Sequence, residues 1–486
     1  MPERQLIEKQ QDVVSGARLA AVGSFFRLRA RYLVFTLAAL IAAAIILMPT
    51  PEGLTPEGQR AVAILVLCLI LWVTQVLPLM ITSLLAIVLF PLLGVMATDE
   101  VFPFFANQAV FFILGAFMLA SAVMRSGLSS RIALRILDRF GKTPRSLMHA
   151  VMLIPAALSL FMPEHAVAAL MFPVVLEITE SLSLPSGESR YAKGLFVSMA
   201  WGAIVGGIGT FLGGARAPLA VGILSTNTGR TISFVEWSLA TLPTVIVLLV
   251  VASLLMGIIF RPEVTSVTPA VNAIRDKVEE LGRVSRREVE VALVMTATVV
   301  AWITLGDDLG LATIALAAVA LAFALGLMTW KEVEEDVNWG VFLMYGGAIA
   351  LGYALNESGA ARWLVDVTTG TFTGSALVAI AVISLVTTLL TEAMSNSAVV
   401  ALLLPVGLTF STQAGLSPEL MTLAIAVPSG LAFMLPMGSP PNAIAFSSGH
   451  LRPVDTVKAG ALMVLTAWIC LVLSAAFWWP VIGFGH

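Results

Sequence analysis

The chain has 486 residues, of which 58% are hydrophobic and 12% charged, with a formal net charge of −3. Soluble domains carry about a quarter charged residues, so a water-soluble fold of this length could not hide so much apolar surface, and a lipid solvent fits instead. The near-neutral balance gives no sign of a nucleic-acid partner. Cys68 and Cys470 stand alone in apolar runs, and His149, His165, His450 and His486 lack zinc-ligand spacing, so neither a disulfide framework nor a metal cluster is expected.

The first apolar run begins near Tyr32, after Arg4, Lys9, Arg18, Arg27, Arg29 and Arg31. A secretory signal places a short apolar core much nearer the start, so residues 1–31 read as a cytoplasmic amphipathic lead-in, helical over 5–31. A spanning helix needs roughly 20 apolar residues. Candidates fall at 32–49, 61–79, 81–96, 109–126, 193–212, 238–260, 287–305, 311–328, 338–355, 420–436 and 457–482, about eleven in all. Segments 146–183 and 376–414 differ. Each holds two shorter apolar runs split by a polar tip, Pro163-Glu164-His165 in one and Ser395-Asn396-Ser397 in the other. Such a segment suggests a re-entrant hairpin, because non-helical backbone at membrane depth is tolerated only against protein or a water-filled cavity. The predicted class is an all-α polytopic membrane protein with about eleven spans and two re-entrant hairpins.

Basic residues set the orientation. They crowd the N-terminus, 125–145 and 261–287, whereas 97–108 and 306–310 have none. This places the N-terminus in the cytoplasm, and His486 outside, of a multi-pass protein in the cell's inner (plasma) membrane. Trp237, Trp330, Trp339, Trp478 and Trp479 near span ends read as interface anchors. Gly202, Gly206 and Gly207 read as sites of close helix packing. Arg125 and Glu357, at the ends of their spans, are expected to be exposed.

An internal repeat runs through the chain. Gly115–Gly127 and Gly347–Gly359 share their pattern of small residues at an offset of 232, which also carries Pro163 to Ser395, Pro173 to Pro405 and Ala166-Val167 to Ala398-Val399. Further on, Gly213-Gly214-Ala215-Arg216-Ala217 falls opposite Gly438-Ser439-Pro440-Pro441-Asn442 at an offset of 225. Five basic residues lie between Gly127 and the first hairpin, but only Arg362 between Gly359 and the second. The units therefore read as an inverted repeat, an arrangement that puts substrate near the midplane where helices break.

At these residues the sequence resembles the divalent anion:sodium symporter family, within the ion transporter superfamily, whose members carry dicarboxylates, citrate or sulfate. That family has Ser-Asn-Thr at each hairpin tip and a Thr-Pro-Pro-Asn-like break in the helix after each hairpin. Thr391-Glu392-Ala393-Met394-Ser395-Asn396-Ser397-Ala398, and then Gly438-Ser439-Pro440-Pro441-Asn442-Ala443, look like the second tip and break. The first repeat departs, with Pro163-Glu164-His165 for the tip and Ala215-Arg216-Ala217 at the break. The resemblance implies an elevator-type homodimer, in which a transport domain slides against a scaffold. The scaffold would take 32–142 and 287–374. The transport domain would take 143–260 and 375–486, with 261–286 a cytoplasmic linker.

The resemblance also implies a sodium ion at the second half-site, held by Thr391, the Met394 carbonyl, Asn396 and the Gly438 carbonyl. Asn396, Ser397, Ser439 and Pro440 would line the substrate, a small carboxylate or sulfonate, with helix N-termini adding partial positive charge. At the first half-site only Ser159 and Gly213 occupy ligand positions, which counts against a second sodium ion there. A charge at membrane depth costs at least about 2.5–3.5 kcal/mol unless paired or hydrated, so Glu164, His165 and Arg216 are expected to act. Arg216 would supply as a fixed cation the charge of the missing ion, pairing with Glu164, with substrate, or with both. His165 stands at a substrate position and titrates near neutrality.

The leading reading is a secondary active transporter of a small dicarboxylate-like or sulfate/sulfonate-like anion, and not an enzyme. Two alternatives remain open: a sodium-independent anion exchanger, and a cation/proton antiporter using Glu164.

Overall fold

The computed structural model describes residues 31–369 and 375–484. All but the last residue of the lead-in expected over 1–31, and His486, lie outside the described residues. Among the described residues every regular element is helical.

The first helices are α1 (Arg31–Leu47), α2 (Pro56–Thr74), α3 (Leu79–Leu92), the single turn α4 (Thr98–Val101) and α5 (Gln108–Arg125). Then come α6 (Leu128–Phe140), α7 (Pro144–Leu158), α8 (Glu164–Ser181), α9 (Arg190–Gly207), α10 (Arg216–Thr228) and α11 (Phe234–Ile259). The middle of the chain forms α12 (Thr268–Glu280), α13 (Arg286–Leu309), α14 (Leu311–Ala324), α15 (Trp330–Asp336), α16 (Trp339–Glu357) and α17 (Ala360–Thr369). The last are α18 (Ala376–Ala393), α19 (Asn396–Gln413), α20 (Pro418–Ala426), α21 (Pro440–Ser447) and α22 (Pro453–Leu473).

Local chemistry fixes many of these ends. Ser233 with Glu236 and Ser285 with Glu288 form reciprocal capping boxes that open α11 and α13, and the Asn107 side chain accepts from the Ala109 amide to start α5. Gly127, between α5 and α6, adopts φ 83°, a left-handed turn that a side chain would resist.

Eight helical stretches are long and apolar enough to cross a membrane, and the exposed residues agree with a lipid solvent. On α11 the large apolar side chains left outside include Leu239, Ile246, Val247, Val250, Leu254 and Ile258. A soluble protein would bury such a stripe. The set of eight differs from the eleven spans expected. It counts α18 and α19, the two arms of the second expected hairpin, as separate crossings. It leaves out 193–212 and 420–436, and also 32–49, 81–96 and 311–328, where α1, α3 and α14 are apolar but shorter. Residues 420–436 are no single helix: α20 ends at Ala426, one 3-10 turn covers Pro428–Gly430, and the chain is non-helical until α21. Proline and glycine cut the run, and averaged hydropathy passes over so short an interruption.

Packing is close where the sequence supplies glycine. A Cβ on Gly202 would strike the Met152 carbonyl and one on Gly206 the Ala156 carbonyl, so α9 lies on α7 with no room for side chains between them. Trp237 and Trp479 correct the expectation of interface anchors. Both are 1% exposed, and their indole N–H groups donate to the Ile208 carbonyl at 3.0 Å and the Ala240 carbonyl at 3.1 Å. Arg125 is at the surface as expected, but not idle, since it is clamped to Asp336 at 2.7 Å and Glu335 at 2.9 Å.

Candidate functional site

Two hairpins and two broken helices build the site. In the first hairpin α7 stops at Leu158 and Pro163 precedes α8 with φ −57°, ψ 134°. In the second, Ser395 precedes α19 with φ −59°, ψ 136°. The two tips thus turn with the same backbone, and Glu164 and Asn396 each begin the outgoing helix. The broken helices interrupt likewise. One runs as α9, a non-helical stretch to Ala215, then α10; the other runs as α20, a non-helical stretch to Ser439, then α21.

The first residues of α8, α10, α19 and α21 are Glu164, Arg216, Asn396 and Pro440, and all four line one cavity of about 380 Å3. Its wall also takes in His165, Ser397, Gly438 and Ser439. Each helix N-terminus carries roughly half a positive charge, so the four together favour an anion.

At the first tip, the Glu164 carboxylate accepts from Arg216 Nη1 at 3.1 Å, with both side chains nearly fully buried. The Glu164 backbone N–H donates to the Gly213 carbonyl at 2.9 Å, which ties the tip to the break and engages an oxygen at one of the expected ligand positions. Among the described residues, Arg216 Nη2 is buried with no hydrogen-bond partner, and so is Ser159 Oγ. A guanidinium at a helix N-terminus faces the wrong end of the dipole, and an orphaned N–H₂ at this depth adds to the cost. His165 meets the Phe117 ring edge-on at 6.0 Å and, among the described residues, has no hydrogen-bond partner.

At the second tip, oxygens converge. The Thr391 hydroxyl lies 2.8 Å from Asn396 Oδ1 and 2.5 Å from the Ser429 carbonyl. With the amide turned over, Asn396 Nδ2 donates to the Gly438 carbonyl at 2.8 Å, the Thr391 hydroxyl at 2.8 Å and the Ser429 carbonyl at 3.1 Å. In the opposite orientation the amide oxygen faces these same three oxygens at 2.8–3.1 Å, bringing together a hydroxyl, an amide oxygen and two carbonyls. Four neutral oxygens of this kind suit a hard monovalent cation and offer nothing to a transition metal. Met394 beside them is buried and extended, with φ −145° and ψ 168°. Ser439 caps α21, accepting from the Asn442 amide at 3.4 Å, and Ser397 is 6% exposed.

Two residues of this site carry no role in the sequence reading. Ser429 supplies one of the converging carbonyls, and its signal is the Pro428-Ser429-Gly430 interruption of an apolar run. Glu392, 3% exposed on α18, accepts from the amides of Phe433 at 2.7 Å, Met434 at 3.0 Å and Leu435 at 3.0 Å. It satisfies three successive N–H groups of the second break, and its signal is a lone carboxylate in an apolar helix. The break's carbonyls are met from elsewhere. Trp201 Nε1 donates to the Phe433 carbonyl at 3.3 Å, the Thr456 hydroxyl to that of Met434 at 2.7 Å, and Asn442 Nδ2 to that of Ala432 at 3.1 Å.

The halves interlock. The Arg216 guanidinium rests against Gly430 of the second break, and a Cβ on Gly430 would overlap it. From α16 the Tyr345 hydroxyl donates to the Ala215 carbonyl, and from the cap of α5 Asn107 Nδ2 donates to the Thr226 hydroxyl on α10 at 3.1 Å.

Comparison with known proteins shows the family and the fold. The sodium:sulfate symporter transmembrane region matches residues 29–484. The sodium-dependent dicarboxylate transporter SdcS of Staphylococcus saprophyticus is 30% identical over 461 residues, covering 90% of this chain and 89% of that protein. The protein of that name in Staphylococcus aureus is 29% identical over 458 residues, covering 89% and 88%. Among solved structures, the fold is similar to the Alcanivorax borkumensis YdaH transporter, with a TM-score of 0.54 at 14% identity over 95% of this chain and 98% of that one. It is also similar to Neisseria gonorrhoeae MtrF, with a TM-score of 0.57 at 12% identity over 94% and 96%.

Proposed function

Because the chain belongs to the sodium:sulfate symporter family, a family of transporters and not of enzymes, we propose that it carries a small anion, dicarboxylate-like or sulfate/sulfonate-like, by secondary active transport. The observation that carries this reading is the meeting of four helix N-termini on one cavity of about 380 Å3, with a buried arginine among them. In this reading Arg216 Nη2, His165, Asn396, Ser397, Ser439 and the turn at Pro440 hold the anion. The SdcS relatives, named as sodium-dependent dicarboxylate transporters, make a four-carbon dicarboxylate the first substrate to try.

One sodium ion would sit at the second half-site, on Thr391 Oγ1, Asn396 Oδ1 and the carbonyls of Ser429, Gly438 and Met394. Bound there, the ion supplies positive charge beside the anion. At the first half-site the Glu164–Arg216 pair takes the place of a second ion. The two tips with their broken helices, 143–260 and 375–486, would move as one transport domain against 32–142 and 287–374, in an elevator step within a homodimer. About eleven spans and two re-entrant hairpins, an N-terminus in the cytoplasm and an inner (plasma) membrane location complete the proposal.

A second reading, obligate exchange, draws on the same arginine. Arg216 keeps its charge when the anion leaves, and a buried guanidinium with an unpartnered Nη2 makes return of the empty carrier costly. Uptake of radiolabelled succinate and sulfate into proteoliposomes separates the readings. Loss of uptake when choline replaces sodium supports symport. Dependence on internal substrate supports exchange. Sodium-driven proton movement with no anion present would replace both readings with the cation/proton antiporter.

A further inference from the structure

Among the described residues, the ionisable side chains that line the cavity are Glu164, His165 and Arg216. Glu164 and Arg216 cancel, since the carboxylate accepts from Arg216 Nη1 at 3.1 Å and both side chains are nearly fully buried. His165 packs edge-on against Phe117 and, among the described residues, has no acceptor for a ring N–H, so nothing there favours its charged form. Glu392, beside the second tip, is answered by the three amides of the break and brings no positive charge either. Arg216 is also fixed in place. A Cβ on Gly214 would overlap Nη1 and one on Gly430 would overlap Nε. With Nη1 taken by Glu164, the buried Nη2 is left as the unpartnered donor among the described residues, and one N–H₂ group reaches one acid group.

Building on the anion site proposed above, we propose that this charge inventory selects a singly charged anion, a sulfonate or a monocarboxylate, over a dianion. The Glu164–Arg216 pair has no net charge. The site therefore holds at most one full positive charge, that of the sodium ion proposed at the second tip. A monoanion neutralises it. A dianion leaves a negative charge uncompensated at membrane depth, where burial makes it costly. The helix N-termini do not close the gap. Each offers only about half a charge, and those of α8 and α10 are taken up with Glu164 and Arg216, the first residue of each. A dicarboxylate meets the same condition only with one acid group esterified or protonated.

The test uses two pairs of probes that differ chiefly in charge: methanesulfonate with sulfate, and monomethyl succinate with succinate. Affinities are read from the rise in melting temperature of the purified full-length protein, at matched sodium concentration and ionic strength and about pH 7.5, where each probe keeps its charge. The singly charged member of each pair should bind at least about tenfold more tightly. Glu164→Gln adds one net positive charge to the site and should shift both ratios toward the dianion by about tenfold, whereas Glu164→Asp keeps the charge and should keep the ratios. Each ratio is taken within one sample, so a lower melting temperature in a variant does not disturb it. Where Glu164→Gln fails to fold, the ratios in the unsubstituted protein decide. If sulfate or succinate binds as tightly as its singly charged counterpart, or if Glu164→Gln folds and leaves the ratios unchanged, the charge selection is overturned and the anion site stands. If none of the four probes shifts the melting temperature and none is taken up into proteoliposomes, the site reading falls and this inference with it.

Discussion

Arg216 leaves the first broken helix and lays its guanidinium against Gly430 in the second, a position open only because Gly430 has no side chain. Gly430→Ala should therefore expel the arginine from its place between the halves. Overpacking of this kind costs about 1–3 kcal/mol, readable as a lower melting temperature. Anion uptake should fall as far as in Arg216→Gln. Normal uptake by Gly430→Ala would show that the arginine is not needed where the structure places it.

The pair formed by Arg216 and Glu164 has its own signature. Removing one partner of a buried ion pair leaves an uncompensated charge and costs about 3–5 kcal/mol, whereas removing both does not. Glu164→Gln and Arg216→Gln should each destabilise strongly, and the double variant should lose much less than their sum. A thermal-melt double-mutant cycle measures the coupling. If Arg216 also holds the anion, the double variant will fold yet show no shift in melting temperature with succinate or sulfate.

Glu392 holds the second break by three backbone amides. Glutamine offers one oxygen and brings two donors of its own, so Glu392→Gln leaves break amides unpaired at about 1–3 kcal/mol each. The carbonyls of Ser429 and Gly438 belong to the same stretch. Half-saturating sodium should consequently rise in this variant, with a smaller change in maximal rate. Sodium titration of uptake separates this from simple unfolding, which lowers the rate alone.

Asp336, in the short helix α15 outside the spans, gives a pH prediction. The Arg125 guanidinium, aided by the Ser121 hydroxyl at 2.6 Å, holds its carboxyl below the usual carboxylate range. The folded state then binds fewer protons than the unfolded one between the two values. The associated stability is complete above the unfolded value of about 3.9 and is lost as pH falls through the lower folded value. Melting temperature measured from about pH 6 downward should drop in that acidic window, and Asp336→Asn should be lower at pH 6 with a shallower fall.

Much of this molecule could be read from spacing. The tips stand out because a polar triplet at membrane depth demands a partner, and Gly202 and Gly206 because small residues mark helices that touch. Glu164 and Arg216 stand out as well, since each charge would be costly alone, although pairing with each other was one of three options the sequence left open. What escaped has two physical origins. Windows of hydropathy average over short breaks, so 420–436 reads as one span although proline and glycine divide it. Contacts between distant segments leave no local pattern. Nothing near Glu392 announces that its carboxylate will cap amides at 433–435, and nothing near Trp237 announces that its ring will be sealed against Ile208. Ser429 was missed for the first reason.

Tyr345 and Asn107 each reach from a helix outside the tips to the first broken helix, at the Ala215 carbonyl and the Thr226 hydroxyl. Any displacement of α10 along α5 and α16 must begin by rupturing both bonds, before new partners exist for the groups released. In the proposed elevator step they would work as a detent, giving the resting state a defined threshold for departure instead of a gradual drift. Turnover would then be steeply temperature dependent at its slowest step, while anion affinity measured at rest would feel neither bond.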